Sequence, residues 1–329
     1  MSDDLIGKSL GGYTIKKLLG HGGMARVYQV VQPKTGALAA LKVIQPETEA
    51  NFDYETRFQR ESQAIEKLKH PNIVGFQKSG KARGVLYLVM EYIDGDDLAD
   101  VLRDYRKKGK FMPDAEMVQI LKDIGAALDY SHQQGVIHRD IKPSNIMIDK
   151  AGKAILTDFG LALLAEIGTK GEIFGTPRYI SPEQAISSAA VVPQSDLYAL
   201  GVIAYEMLTG RAPFETENSL DAAMMHMTEK PPPPSQFRPE LSAALDKVLL
   251  KILDKEAKKR YSSGVEFAAA LEKALSSKGK RTTTNTAVPR PTEEATVKVK
   301  PRSRIGWWVL GLILIVLVVL AVVVQSGIT

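Results

Sequence analysis

The 329-residue sequence contains no cysteine. Disulfides, thiolate nucleophiles and cysteine-bound metals are thereby excluded. Histidine is scarce, and His21, His70, His132, His138 and His226 show no tight metal-ligand spacing. The N-terminus, MSDDLIGKSL, has acids early and no apolar run, so no secretory signal peptide is expected. Without secretion, the apolar C-terminus does not read as the discarded signal of a lipid anchor. No internal repeat of fixed period is present.

Excess positive charge is also missing from most of the chain, although the formal net charge is +5. Residues 277–304 hold eight Lys/Arg and two acids, and 305–329 hold no charge, so the first 276 residues sum to about −1. The basicity belongs to one short segment. Nucleic acid is therefore not an expected partner.

What is present begins with alternation. Residues 13–45 alternate apolar and polar positions around glycines (YTIKKLLG, RVYQVVQ, ALAALKVI), which predicts a meander of short antiparallel strands. Residues 52–69 change to helical spacing and stop at His70-Pro71. LYLVMEY (86–92) reads as another strand. From about Asp97 helical patterns dominate, in MVQILKDIGAALDYSH, SDLYALGVIAYEML and LSAALDKVLLKIL. The expectation is an α+β chain. An extension (1–12) precedes a small β-rich lobe (about 13–92) and a larger helical lobe (about 97–276).

Glycines at 20, 22 and 23 in LGHGGMARVY let a backbone approach phosphate closely. A dinucleotide-binding loop would open a helix, whereas this one runs into an alternating strand, so a hairpin over a nucleotide fits better. Lys42 lies mid-strand and Glu61 on the helix after it; alone, each reads as a solvated charge. HRDIKPSNIMI (138–148) is far more specific, since Asp140, Lys142 and Asn145 can share one polar loop. TDFGLA (157–162) adds Asp158 after the strand-like run KAILT. Two metal-ligating groups (Asn145, Asp158), a base (Asp140) and two lysines are what phosphoryl transfer needs.

With these motifs in order from Tyr13 to about Leu275, the chain resembles the eukaryotic-like (Hanks-type) protein kinases. Ala25 stands where the family's third loop glycine is usual. The resemblance implies a bilobal fold using ATP with Mg²⁺, or Mn²⁺ in its place. It implies that Leu19, Gly20, Gly22, Gly23, Val27 and Ala40 surround the nucleotide, and that Lys42, paired with Glu61, holds the α/β-phosphates. Glu91 and Ile93 would meet adenine through their backbone. Asp140 would accept the substrate proton, Lys142 would stabilise the transferring phosphoryl group, and Asn145 with Asp158 would bind metal. Asp196, Arg260 and Glu183 would brace the lobe. Lys142, together with Thr176 in GTPRYISPE, matches the serine/threonine branch, with Thr176 positioning protein substrate. The wording GGMARVY and GTPRYISPEQ is closest to bacterial members. Arg139 would pair with a phosphorylated activation loop, for which Thr169 is the free candidate. A homodimer is within the family's range. A pseudokinase scaffold would lack Lys42, Asp140, Asn145 or Asp158, and a small-molecule kinase would lack the SPE segment.

Residues 277–304, with six threonines and three prolines, read as a basic tether. Its threonines offer docking sites for phosphothreonine-binding modules. Gly306 to Val324 is nineteen uncharged residues; as a helix it spans roughly 28 Å, close to a hydrocarbon core of about 30 Å. The expectation is one transmembrane helix over 305–324, with Trp307 and Trp308 at its interface. Lys298, Lys300, Arg302 and Arg304 precede it and no charge follows. A single-pass cell-membrane protein is expected, its kinase domain cytoplasmic and its tail (325–329) outside.

Overall fold

The computed structural model describes residues 5–21, 25–44, 52–159, 177–216 and 218–276. The chain divides into two compact units, Met1–Val288 and Pro289–Thr329, and the described residues all lie in the first.

The alternating segments become β1 (Ser9–Leu10), β2 (Tyr13–His21), β3 (Ala25–Val31) and β4 (Leu38–Ile44). Helix α1 (Phe52–Glu66) follows, then β5 (Phe76–Ala82) and β6 (Val85–Glu91). They form one six-stranded antiparallel sheet in the order β1-β2-β3-β4-β6-β5. Successive strand side chains point to opposite faces, so the pattern sorts the sheet into two surfaces. Tyr28, Val30, Ala39, Leu41, Val43, Tyr87 and Val89 bury one of them as an apolar cluster. Their alternates Val27, Ala40, Lys42, Leu88 and Met90 share the other face, in the register Val27↔Lys42↔Leu88 and Ala40↔Met90.

Residues 5–12 are more than an extension. Leu10 is buried in that cluster and β1 pairs with β2, which would otherwise be a free sheet edge.

The larger lobe opens with β7 (Gly95–Asp97), which pairs with β8 (Ile146–Asp149) and through it β9 (Ala154–Leu156). Of these only β9 is foreshadowed by the sequence, because strands of three or four residues are too short to display a period. The helices are α2 (Leu98–Lys107), α3 (Asp114–Gln133), α4 (Pro182–Ile186), α5 (Pro193–Thr209), α6 (Ser219–Thr228), α7 (Ala243–Ile252) and α8 (Gly264–Ser276). From Ser195 to Thr209 every residue of α5 is buried. A helix buried on every side belongs at the centre of the lobe, and the others pack about it. At the crossing of α3 and α8 the backbones touch: a Cβ on Gly264 would lie 2.5 Å from Gly125 Cα. Asp129 on α3 completes that contact by accepting from the first amides of α8, Gly264 N at 2.6 Å and Val265 N at 3.0 Å.

Among the described residues no helix is long and apolar enough to cross a membrane. The expected tether (277–304), span (305–324) and tail (325–329) lie outside the described residues.

Candidate active site

The site is built from the loop before β8, the end of β9 and the face of the small-lobe sheet that carries Lys42. The loop's backbone is unusual, since Arg139 (φ 70) and Asp158 (φ 64) both hold left-handed conformations without being glycine. Such residues each cost about 1–3 kcal/mol and persist only where neighbours hold them. Asp196 on α5, fully buried, supplies that hold by accepting from His138 N and Arg139 N, each at 2.8 Å. His132 Nε2 lies 2.8 Å from the same carboxylate. His138 Nδ1 accepts from Asp140 N at 3.2 Å, which places its proton on Nε2 to donate to Thr157 O at 2.7 Å. Thr157 N in turn donates to Asn145 O at 2.9 Å. The two loops are thus stitched together around His138.

Asp140 Oδ2 accepts from Lys142 Nζ at 2.8 Å and from Asn145 Nδ2 at 3.1 Å. Among the described residues Asp140 Oδ1 takes no hydrogen bond, which leaves an acceptor for an incoming hydroxyl proton. Asn145 Nδ2 also donates to Asp140 O at 2.8 Å, so the atom Asn145 can present outward is its amide oxygen. Lys42, nearly buried, pairs with Asp158 Oδ2 at 2.9 Å. Burial opposes charge on Asp158, but Lys42 and, further off, His138 and Lys142 outweigh it and hold its carboxyl below the ordinary range.

These groups suit a metal–nucleotide. Among the described residues no cluster of three or more His, Asp or Glu could hold an ion by itself. Asn145 and Asp158 instead bring two hard oxygen donors, the partial set that suits Mg²⁺ when phosphates and water complete its coordination. Bound there, Mg²⁺ would neutralise phosphate charge. Lys42 and Lys142 would meet the same phosphates.

The expected Lys42–Glu61 ion pair is not found: Lys42 is engaged by Asp158 instead. Glu61, half-buried on α1, has its carboxyl raised by burial and opposed by the charge of Arg139. The physical reason is competition for one ammonium: it lies 2.9 Å from Asp158 Oδ2, and the nearby charge acting on Glu61 is that of Arg139.

Of the residues expected to line the nucleotide, Gly20, Val27 and Lys42 are cross-strand neighbours, Ala40 shares their face, and Leu19 is the exposed extra residue of a bulge before Gly20. Glu91 N donates to Gly75 O at 2.8 Å, so only its carbonyl remains for a ligand, and half-buried Ile93 follows. Gly22, Gly23, Thr169 and Thr176 lie outside the described residues. Arg139 does not stand free, for its Nη1 donates to Ser188 O at 3.4 Å. Glu183 pairs with Arg260 through two contacts of 2.8 Å and accepts from Ser195 Oγ at 2.6 Å, a brace rather than a ligand site.

Sequence reasoning passed over two features. Gln184 Nε2 donates to Arg139 O at 2.6 Å and ties α4 to the residue before Asp140. Asp97 caps α2 by accepting from Asp100 N at 2.8 Å, and burial raises its carboxyl. The first was within reach, since Gln184 directly follows the SPE motif. The second depends on β7 pairing with β8 and has no local signature.

The Protein kinase domain family matches residues 13–276. The chain belongs to the protein kinase family. Its relatives include the probable serine/threonine-protein kinase PknB of Lactococcus lactis, 39% identical over 78% of this chain and 40% of that protein. Serine/threonine-protein kinase PknJ of Mycobacterium tuberculosis is 37% identical over 82% of this chain and 46% of its own length. This kinase thus spans roughly half or less of the curated relatives it matches. Among solved structures, the Mycobacterium tuberculosis PknI kinase domain superposes with a TM-score of 0.66 at 32% identity, over 82% of this chain and 98% of that one. The bilobal fold and the bacterial serine/threonine likeness therefore stand as expected. A pseudokinase finds no support, because Lys42, Asp140, Asn145 and Asp158 are all in place.

Proposed function

We propose that the protein is an ATP-dependent serine/threonine kinase, held at a membrane by residues 305–324, that phosphorylates protein hydroxyls and its own activation loop. The observation that carries the reading is the bonded set Asp140–Lys142–Asn145 facing Lys42–Asp158. One oxygen of Asp140 is left to take the proton as the substrate oxygen attacks the γ-phosphorus, and the bond to the β-phosphate oxygen breaks. Asn145 and Asp158 would hold Mg²⁺ on the nucleotide. Phosphorylated Thr169 would draw Arg139 from Ser188 and Glu61, freeing Glu61 for Lys42. The threonines of 277–304 would serve phosphothreonine-binding modules, and a homodimer would allow one copy to modify another.

The test is incubation of the full chain with Mg-ATP and a generic protein substrate, followed by phosphosite mapping. Serine and threonine sites, Thr169 among them, are expected, and Asp140→Asn should slow their labelling by about 10²–10⁴-fold. Labelling at an undiminished rate in Asp140→Asn would sink the catalytic assignment. Label confined to tyrosine would sink the substrate class.

A further inference from the structure

Away from the nucleotide site, a cleft of about 500 Å³ opens between the turn Pro177–Tyr179, the loop at Phe214–Thr216 and the start of α6. Its charges are unevenly satisfied. Glu206, buried on α5, accepts from Arg106 Nη1 at 2.8 Å, Tyr179 Oη at 2.6 Å and Arg178 Nη2 at 3.2 Å. Glu215 on the cleft wall takes Arg178 Nη2 at 3.3 Å and Arg211 Nη2 at 2.9 Å. Three guanidiniums thus surround two carboxylates. The Nε donors of Arg178 and Arg211 are buried with no hydrogen-bond partner among the described residues. Beneath the floor, Lys255 Nζ lies 4.8 Å from the Phe214 ring centroid and adds further positive charge.

The carboxylates here are already paired with arginines of the same chain, so an arriving Lys or Arg would compete with them. The surplus is of donors and positive charge. Both Arg178 and Arg211 keep over a third of their side chains exposed, so they can turn toward a ligand. The cleft also adjoins the catalytic loop. Its turn is followed by α4, whose Gln184 is bonded to Arg139 O, one residue before Asp140. On the kinase reading, a peptide offering its hydroxyl to Asp140 would lie against this turn.

We propose that Arg178, supported by Arg211, is a specificity-determining residue: it favours protein substrates with a carboxylate side chain near the phosphorylated Ser or Thr and disfavours those with Lys or Arg there. This rests on the kinase reading and names its substrate class. A half-exposed charge pair is worth at most about a fivefold preference. It should act on KM, because it is made equally in ground and transition states.

The experiment measures kcat and KM for the full chain in detergent micelles, on peptides carrying Asp, Glu, Ala, Lys or phosphoserine at each position flanking one threonine. At one position or more, Asp and Glu should be preferred over Lys by about fivefold. Arg178→Glu should invert that preference, while Arg178→Lys should keep its sign. Equal use of Asp, Ala and Lys peptides by the wild type would overturn the proposal and leave the kinase reading intact. A preference for phosphoserine alone would overturn it in favour of a phosphate site. A uniform loss across all peptides in Arg178→Glu would make Arg178 a brace only. Phosphorylation of no peptide and no protein would remove the kinase reading and the proposal together.

Discussion

At the residue scale, the site's chemistry rests on a few groups whose roles differ in kind. Asp140 is the proposed base, so Asp140→Asn should keep the shape of the loop but lose the proton acceptor. Its kcat should fall by about 10²–10⁴-fold with ATP binding little changed, which paired steady-state and nucleotide-titration measurements would show. His226 has a different role. It is fully buried on α6, bonded to Tyr198 Oη at 2.9 Å and to Arg178 O at 3.0 Å. Burial, aided by Lys255, pushes its pKa down to about 4 from 6.5. Its folded pKa is below the unfolded value, so the unfolded chain binds more protons between those limits. Stability should be complete above about pH 6.5 and decline toward pH 4, by up to about 3 kcal/mol from this residue. Thermal melts across that range should show a steep acid limb in the wild type and a shallower one in His226→Gln.

At the scale of elements, the crossing of α3 and α8 sets propensity against packing. Ala is a better helix former than Gly by about 1 kcal/mol, so Gly125→Ala and Gly264→Ala would be neutral or stabilising in isolated helices. Here either Cβ meets backbone, at 2.8 Å for Gly125 and 2.5 Å for Gly264, and backbone has no rotamer to yield. Both variants should lose about 1–3 kcal/mol in urea melts. Asp129→Ala, which uncaps α8, should cost about 1 kcal/mol. The periodic elements were readable because each carries its own pattern: α3 and α5 fall within two or three residues of the segments that predict them. Strands β7 and β8 were not, because neither is long enough to alternate twice and each exists only through its partner.

At the scale of the whole molecule, the proposed anchor and the catalytic unit should separate cleanly. Full-length protein should sediment with membranes and resist high-salt washing. Removal of residues 305–329 should move it to the soluble fraction with kcat on peptide unchanged. A truncated chain that still sediments would refute the anchor. What the sequence by itself determined is the local chemistry: HRDIKPSN places Asp140, Lys142 and Asn145 within one short loop by spacing alone, and TDFG places Asp158 in a second. The two-lobe division is likewise legible, since the hydrophobic period changes along the chain. The partners of those groups across the fold were decided only in three dimensions. Lys42 has Asp158 rather than Glu61 beside it, because one ammonium pairs with the carboxylate that the fold brings within reach, at 2.9 Å. Arg178 and Arg106, on two separate elements, converge on Glu206 of a third, and no pattern along one segment records such a meeting.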